Sequence, residues 1–332
     1  MLGARPSGAA NPMPLLRLRR HAGALVVDNL WRSLAAAGRL APNAKPERHG
    51  VECVRDVAYV DDGRREHLLD VYRPRDRPIG ARLPVVLYVH GGGFRILSKD
   101  SHWVMGLVFA RAGYVVFNIS YRLAPRDPFP AGLQDVTTAY AWVLEHAHAW
   151  GGDASRIVLA GESAGANLVT AATIATVQRR AEPWARAVFD LGVVPKAVMP
   201  ACGVLQVSDP ERYGRAPRPV SWFVLDRLTE VADAYLGHGH VAASARELAD
   251  PLCVLEGDAT FERPLPPFFA PVGTRDPVIA DHRRLAAALA RRGVDHDVPE
   301  YAGEPHAFHA LMFRANARRC WRDTLRFLAA RV

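Results

Sequence analysis

Long hydrophobic runs are missing from this sequence. No stretch reaches the roughly 18 to 20 uninterrupted apolar residues that a membrane-spanning helix needs, which speaks against a transmembrane segment. Cysteine is scarce as well. Cys53, Cys202, Cys253 and Cys320 lie far apart, with no C-x-x-C spacing and no histidines at metal-ligand intervals. A disulfide scaffold and a structural metal module are therefore set aside, no metal is expected, and reduced thiols in a cytoplasmic setting are the expectation. Runs of like charge are also absent. The net charge is +8, yet the basic residues are overwhelmingly arginine and are spread along the whole chain, so no nucleic-acid partner is expected. Internal repeats and low-complexity core segments are likewise missing.

What is present suits one large globular unit. In 332 residues, 49% are hydrophobic and 23% charged, enough apolar material for a single large α/β domain with insertions rather than two equal halves. Residues 1–12, rich in Gly, Ala and Pro, read as a disordered tail. Residues 13–37 read as a basic amphipathic helix whose arginines interrupt any signal-peptide core. It is read as a cap lying on the catalytic domain, the alternative being an interfacial helix making weak contact with a membrane surface. The expected organisation is a tail and cap helix over 1–50 and a catalytic domain over 51–332.

Strand-like and helix-like segments then alternate. Val51 to Val60 and His67 to Tyr72, joined by Asp61-Asp62-Gly63, predict an antiparallel opening pair. The continuous apolar run Val85 to Val89 predicts a strand buried on both faces. Similar runs follow at Tyr114 to Ile119, Ile157 to Ala160, Ala197 to Pro200 and Pro267 to Val272, with a last strand over His296 to Tyr301. Between them Leu133 to Ala147, Ala164 to Arg179 and Asp281 to Arg292 read as helices. The pattern predicts a mostly parallel sheet of about eight strands with helices on both faces, and ligands at the carboxyl ends of its strands.

The strongest motif sits at such an end. Gly161-Glu162-Ser163-Ala164-Gly165 follows a short strand and precedes a helix, the context a nucleophile elbow requires. A turn that sharp strains the serine backbone, and the flanking positions must be nearly bare for strand and helix to approach. The Ser163 hydroxyl would then project at a helix N-terminus, where the Ala164 amide favours developing negative charge. His90-Gly91-Gly92-Gly93-Phe94 directly follows the strand Val85 to Val89. Its bare backbone can turn the amides of Gly92 and Gly93 toward a carbonyl held above Ser163, completing an oxyanion hole with Ala164. A phosphate loop is the competing reading, but no Lys-Ser or Lys-Thr follows and the G-x-G-x-x-G spacing fails.

With these motifs the chain resembles the hormone-sensitive-lipase-like family of esterases and lipases, within the α/β-hydrolase superfamily. The likeness runs from about residue 67 to the C-terminus. It includes Tyr121-Arg122-Leu123-Ala124-Pro125, Phe129-Pro130-Ala131, Gly151-Gly152-Asp153, Gly273-Thr274-Arg275-Asp276-Pro277 and His306-Ala307-Phe308 beside the two glycine motifs. Glu162 stands where the family usually has Asp, and Ala307 where it usually has Gly. The resemblance implies the α/β-hydrolase fold with a helical cap, esters of short to medium acyl chains as small-molecule substrates, no cofactor, and often a homodimer formed through the last strand.

The remaining members of a triad can also be placed from the residues. Asp276 follows an apolar strand through a Gly-Thr-Arg turn, which puts its carboxylate at the carboxyl edge of the sheet. Asp281 is its rival, read more simply as the first turn of a helix. His306 lies in a loop after the final strand and completes the order Ser, Asp, His. His309 is read as the start of the last helix or as packing beneath the site. Tyr121, Arg122 with Asp135, and Asp153 with Arg156 are read as braces. Residues 204–250 interrupt the sheet pattern and are expected to form a cap insertion, with Trp222 and Phe223 as candidate pocket walls beside Phe94 and Trp103, core packing being the commoner alternative for all four. An amidase or acyltransferase would share every motif, and a non-catalytic receptor would share the pocket.

Overall fold

The computed structural model describes residues 44–332 apart from 77–79, 217–218 and 238–242, together with Gly23, Asn29, Ser33 and 35–38. The expected tail over 1–12 lies outside the described residues, and so does most of the expected helix over 13–37.

Ten strands and ten α-helices organise the described chain. Strand β1 (Val51–Ala58) pairs antiparallel with β2 (Leu68–Pro74), as the opening alternation requires. Strands β3 (Leu83–Val89), β4 (Val115–Ile119), β5 (Gly152–Glu162) and β6 (Ala197–Ala201) form a parallel centre. The eight-stranded sheet runs β1-β2-β4-β3-β5-β6-β7-β9.

The last two expected strands are each broken in two. Instead of one strand over Pro267 to Val272 there are β7 (Phe268–Phe269) and β8 (Val272–Gly273). Instead of one over His296 to Tyr301 there are β9 (His296–Asp297) and β10 (Glu300–Tyr301). Pro271 and Pro299 sit at the breaks, and proline has no N–H to give to a ladder. Backbone bonds nevertheless continue across, from Ala270 to Asp297, Val272 to Pro299 and Thr274 to Tyr301. The segment carrying Asp276 thus stays in register beside the segment carrying His306.

Helices cover both faces. On one lie α1 (Trp103–Arg111) and α10 (Ala315–Ala329), packed on Val86, Tyr88 and Val116. On the other lie α2 (Ala131–His146), α3 (Ala164–Val177), α4 (Pro183–Asp190) and α9 (Ile279–Arg291), packed on Val85, Leu87, Val89 and Phe117. Adjacent residues of β3 therefore feed opposite cores, the period of two a pleated strand imposes. Each such fully buried valine or leucine contributes roughly 1.5–3 kcal/mol. Helix α3 is buried along its whole length. Its hydroxyls on Thr170, Thr173 and Thr176 bond back to carbonyls of the preceding turn, so they need no outside partner. Between β6 and β7 the chain forms α5 (Arg212–Arg215), α6 (Trp222–Leu236), α7 (Ala243–Glu247) and α8 (Pro251–Glu256). Among the described residues no helix is long and apolar enough to cross a membrane.

Candidate active site

Strand β5 ends at Glu162 and α3 begins at Ala164, leaving Ser163 alone in the turn with φ +53° and ψ −114°. A backbone so far from the allowed regions costs of order 1–3 kcal/mol and persists because its surroundings hold it. The Ser163 amide donates to the Ala201 carbonyl at 2.9 Å. The flanking glycines answer to close approach. A Cβ on Gly165 would lie 2.1 Å from the Val89 carbonyl oxygen, and one on Gly161 would lie 2.6 Å from the Gly165 backbone. No side chain fits at either place, and α3 can start against the end of β3 for that reason.

The acid and the base come from neighbouring turns stitched to one another. Asp276 lies in the turn after β8, and His306 follows β10. A Cβ on Gly273 would sit 2.1 Å from the Glu304 carbonyl oxygen, and the Arg275 amide donates to that carbonyl at 3.0 Å. His306 Nδ1 lies 3.0 Å from both Asp276 oxygens, while its Nε2 lies 2.9 Å from Ser163 Oγ. The Val278 amide donates to Asp276 Oδ1 at 3.0 Å and helps fix the carboxylate. Nδ1 then carries the proton that Asp276 accepts, and Nε2 presents a lone pair to the serine hydroxyl. Burial of the imidazole works against its charged form. The Asp276 carboxylate outweighs that, with a smaller push from Glu162, and holds the His306 pKa above the ordinary 6.5. The ring is 35% exposed, so the pair faces an open mouth.

The glycine loop follows β3. Gly92 and Gly93 have φ of +113° and +58°, and a Cβ on Gly92 would sit 2.1 Å from the Ile96 carbonyl oxygen. Among the described residues the amides of Gly92, Gly93 and Ala164 enter no hydrogen bond, which leaves three donors for an oxyanion. The Tyr121 hydroxyl donates to the His90 carbonyl at 3.0 Å, and the Tyr121 ring stacks on His90 at 4.3 Å. Arg122 grips Asp135 through Nε at 2.9 Å and Nη2 at 2.6 Å. Arg156 meets Asp153 at 3.1 Å. All of these are bracing contacts.

The aromatic residues expected near the site have these surroundings. Phe94 is buried in a stack on Tyr235 with centroids 3.6 Å apart, packing that joins the glycine loop to α6. Trp103 donates from Nε1 to the Ala35 carbonyl at 3.3 Å. Trp222 and Phe223, at the start of α6, are 71% and 55% exposed and meet each other edge to face. His309 packs beneath the site in a short 3-10 turn over Phe308–Ala310. Asp281 is more than a first-turn helix residue, because it is fully buried and receives Arg212 at 2.6 Å, the Tyr213 hydroxyl at 2.9 Å and the Leu205 amide at 3.0 Å. His102 and His282 are buried polar residues that motif reading passes over, and Glu162, inside the serine motif, is buried as well. Cys202 has its sulfur within 4.8 Å of ligand atoms of Asp276 and His306. Burial pushes its thiol pKa well up and the other two groups already bind each other, so the trio is a poor metal site.

Residues 86–310 match the α/β-hydrolase fold family. The chain belongs to the α/β-hydrolase family. Within it, the chain falls in the hormone-sensitive-lipase-like branch of esterases and lipases. The carboxylesterase NlhH of Mycobacterium tuberculosis is 32% identical over 289 residues, which cover 85% of this chain and 80% of that one. The esterase LipQ of the same organism is 29% identical over 82% of this chain, and the match spans 61% of LipQ's own length. Among α/β-hydrolases of known structure, a bacterial hormone-sensitive-lipase-family esterase aligns with TM-score 0.69 and 25% identity over 98% of this chain and 99% of that one. A bacterial heroin esterase aligns with TM-score 0.74 and 24% identity over 92% of this chain and 91% of that one, a likeness of fold.

Proposed function

We propose that the protein is a serine carboxylesterase in which Ser163 is the nucleophile, His306 the general base and Asp276 the residue that orients the imidazole. The observation that carries this reading is the 2.9 Å approach of His306 Nε2 to Ser163 Oγ while Nδ1 faces both oxygens of Asp276. His306 takes the serine proton as Oγ attacks the ester carbonyl, and the amides of Gly92, Gly93 and Ala164 receive the oxyanion. Each donor contributes about 3–4 kcal/mol in the transition state. His306 then returns the proton to the departing alcohol, and water, activated by the same imidazole, hydrolyses the acyl-enzyme. The names of the relatives support ester substrates, and short to medium acyl chains are the proposed range.

Residues 204–250 act in this reading as a cap over the site. Helix α6 seats directly on the glycine loop: a Cβ on Gly93 would lie 2.8 Å from Val231, Tyr235 stacks on Phe94, and Arg95 pairs with Glu230. The Phe129 amide also donates to the Tyr235 carbonyl at 2.7 Å. Nitrophenyl esters of increasing acyl length, run on the parent and on Ser163→Ala, test the function. The alanine variant is expected to lose about a millionfold in kcat. Hydrolysis at the parent's rate after that substitution rules the assignment out.

A further inference from the structure

One buried acid is not used by the chemistry just described. Glu162 is the last residue of β5, next to Ser163, and is 6% exposed. Its two oxygens face two histidines from distant parts of the chain. His102 Nε2 lies 2.8 Å from Oε1, and His309 Nε2 lies 3.0 Å from Oε2. The first caps the loop that follows the oxyanion glycines; the second sits three residues beyond His306. Gly91 presses on the same group, since a Cβ there would meet Glu162 Oε1 and its carbonyl oxygen at 3.1 Å.

Both histidines are anchored behind their Glu162 contacts. His102 Nδ1 is 2.9 Å from Ser101 Oγ, in a turn that the Asn118 side chain ties to β4 through the Lys99 carbonyl at 3.0 Å. The His309 carbonyl accepts from Trp321 Nε1 at 3.0 Å, which fastens its turn to α10. Glu162 thus touches the supports of all three segments: the elbow, the glycine loop and the base loop.

We propose that Glu162 is a positioning residue of this enzyme, whose buried carboxylate, through His102 and His309, holds the oxyanion glycines and the His306 loop at fixed places around Ser163. The inference rests on the reading of Ser163 as nucleophile and His306 as base. Electrostatics agree with the geometry. Burial alone would push the Glu162 carboxyl up, but His102 and His309 outweigh it and hold it well below the usual carboxylate range. A negative charge so placed also favours the imidazolium form of His306, in the same sense as Asp276. Among the described residues, Glu162 is also faced by the hydroxyls of Tyr88 and Tyr121 and the thiol of Cys202, and the His90 ring lies 5.5 Å from that of His102; His306 is also faced by Cys202 and His282. Tyr88, Tyr121 and Cys202 have pKa values raised by burial and stay neutral in the working range, and burial lowers the pKa of His282.

The test compares Glu162→Gln and Glu162→Asp with the parent, measuring kcat and KM for nitrophenyl acetate across pH and counting intact sites with a phosphonate that labels the serine. Gln keeps the shape but loses the charge; Asp keeps the charge but is one methylene shorter. The expected result for Gln is a kcat lower by about tenfold or more with KM little changed. Its acid limb should move to lower pH by about half a unit or more, because His306 loses a neighbouring negative charge. Asp should restore the limb to the parent's position and recover most of kcat. Gln with the parent's kcat and pH limb overturns the proposal, as does equal impairment of Gln and Asp with an unmoved limb, the signature of mere space-filling. If Gln yields no labelled protein, His102→Gln and His309→Gln carry the test, and the parent's kcat in both overturns it. A parent whose activity survives Ser163→Ala defeats the esterase reading instead, so the two failures are distinguishable.

Discussion

Asp276 and Asp281 are the same residue type in one stretch of chain, both buried, and they do opposite work. Asp276, in the turn after β8, faces an imidazole whose far nitrogen meets Ser163 Oγ at the exposed mouth. Asp281, in the first turn of α9, receives Arg212, the Tyr213 hydroxyl and the Leu205 amide, and none of these leads to a nucleophile. The histidine beside it is closed on both sides. His282 Nε2 accepts from the Gly203 amide at 2.7 Å, and its Nδ1 donates to the Ala270 carbonyl at 3.1 Å. Burial lowers its pKa, as expected for a ring that stays neutral. In the proposed mechanism, what separates the reactive acid from the structural one is therefore the atom left open on its partner. Asp281 and His282 hold the 203–206 segment against the elbow, where the Val204 amide approaches the Ser163 carbonyl at 3.4 Å.

That contrast can be broken by substitution. The largest effect expected is from Asp276→Asn, which keeps the shape but favours the wrong imidazole tautomer; kcat should fall about 10⁴-fold. Its urea midpoint should stay near the parent's. Asp281→Ala should do the reverse. Removing a buried acceptor leaves the Arg212 charge unpaired and should cost about 3–5 kcal/mol of stability, read from denaturant unfolding, with a smaller loss of kcat per folded site. Similar kinetic losses in both variants would erase the distinction. A milder effect concerns pH: as the proposed base, His306 must be neutral to act, and against burial Asp276 raises its pKa above the ordinary 6.5. As pH falls through that raised value kcat/KM should decline along a one-proton limb, so flat activity down to pH about 4 contradicts the role of His306. The smallest change is expected from Ala307→Gly. Ala307 has φ +55°, a conformation that costs a non-glycine residue roughly 1–2 kcal/mol, which glycine's greater unfolded-state freedom largely offsets. Stability should shift by less than about 1 kcal/mol, and a kcat drop of more than about tenfold would mean that the Ala307 methyl supports His306.

Much of the candidate site's geometry was legible because it is local. Gly161, Ser163 and Gly165 announce a turn whose sterics belong to five consecutive residues, and Gly92 and Gly93 announce bare backbone after a buried strand. The two broken strands were legible in principle, since Pro271 and Pro299 interrupt their apolar runs. Helix α1 was missed because the run from Trp103 to Ala110 is almost uniformly apolar and shows no helical period. Phe94, Trp222 and Phe223 show the limit of local reading: an aromatic side chain near a motif does not say whether it faces a pocket, a stacked neighbour or solvent.

By itself the sequence determined the layered α/β architecture, the parallel centre of the sheet and the turn that carries Ser163, because each follows from periodicity or from the space that glycine alone leaves. Tertiary structure decided which carboxylate faces which imidazole. Positions 102, 162 and 309 share no local pattern, and neither do 205, 212 and 281. Their meeting is set by how β5, α1, α9 and the base loop pack, and a buried charge is tolerated only where such packing brings partners to it.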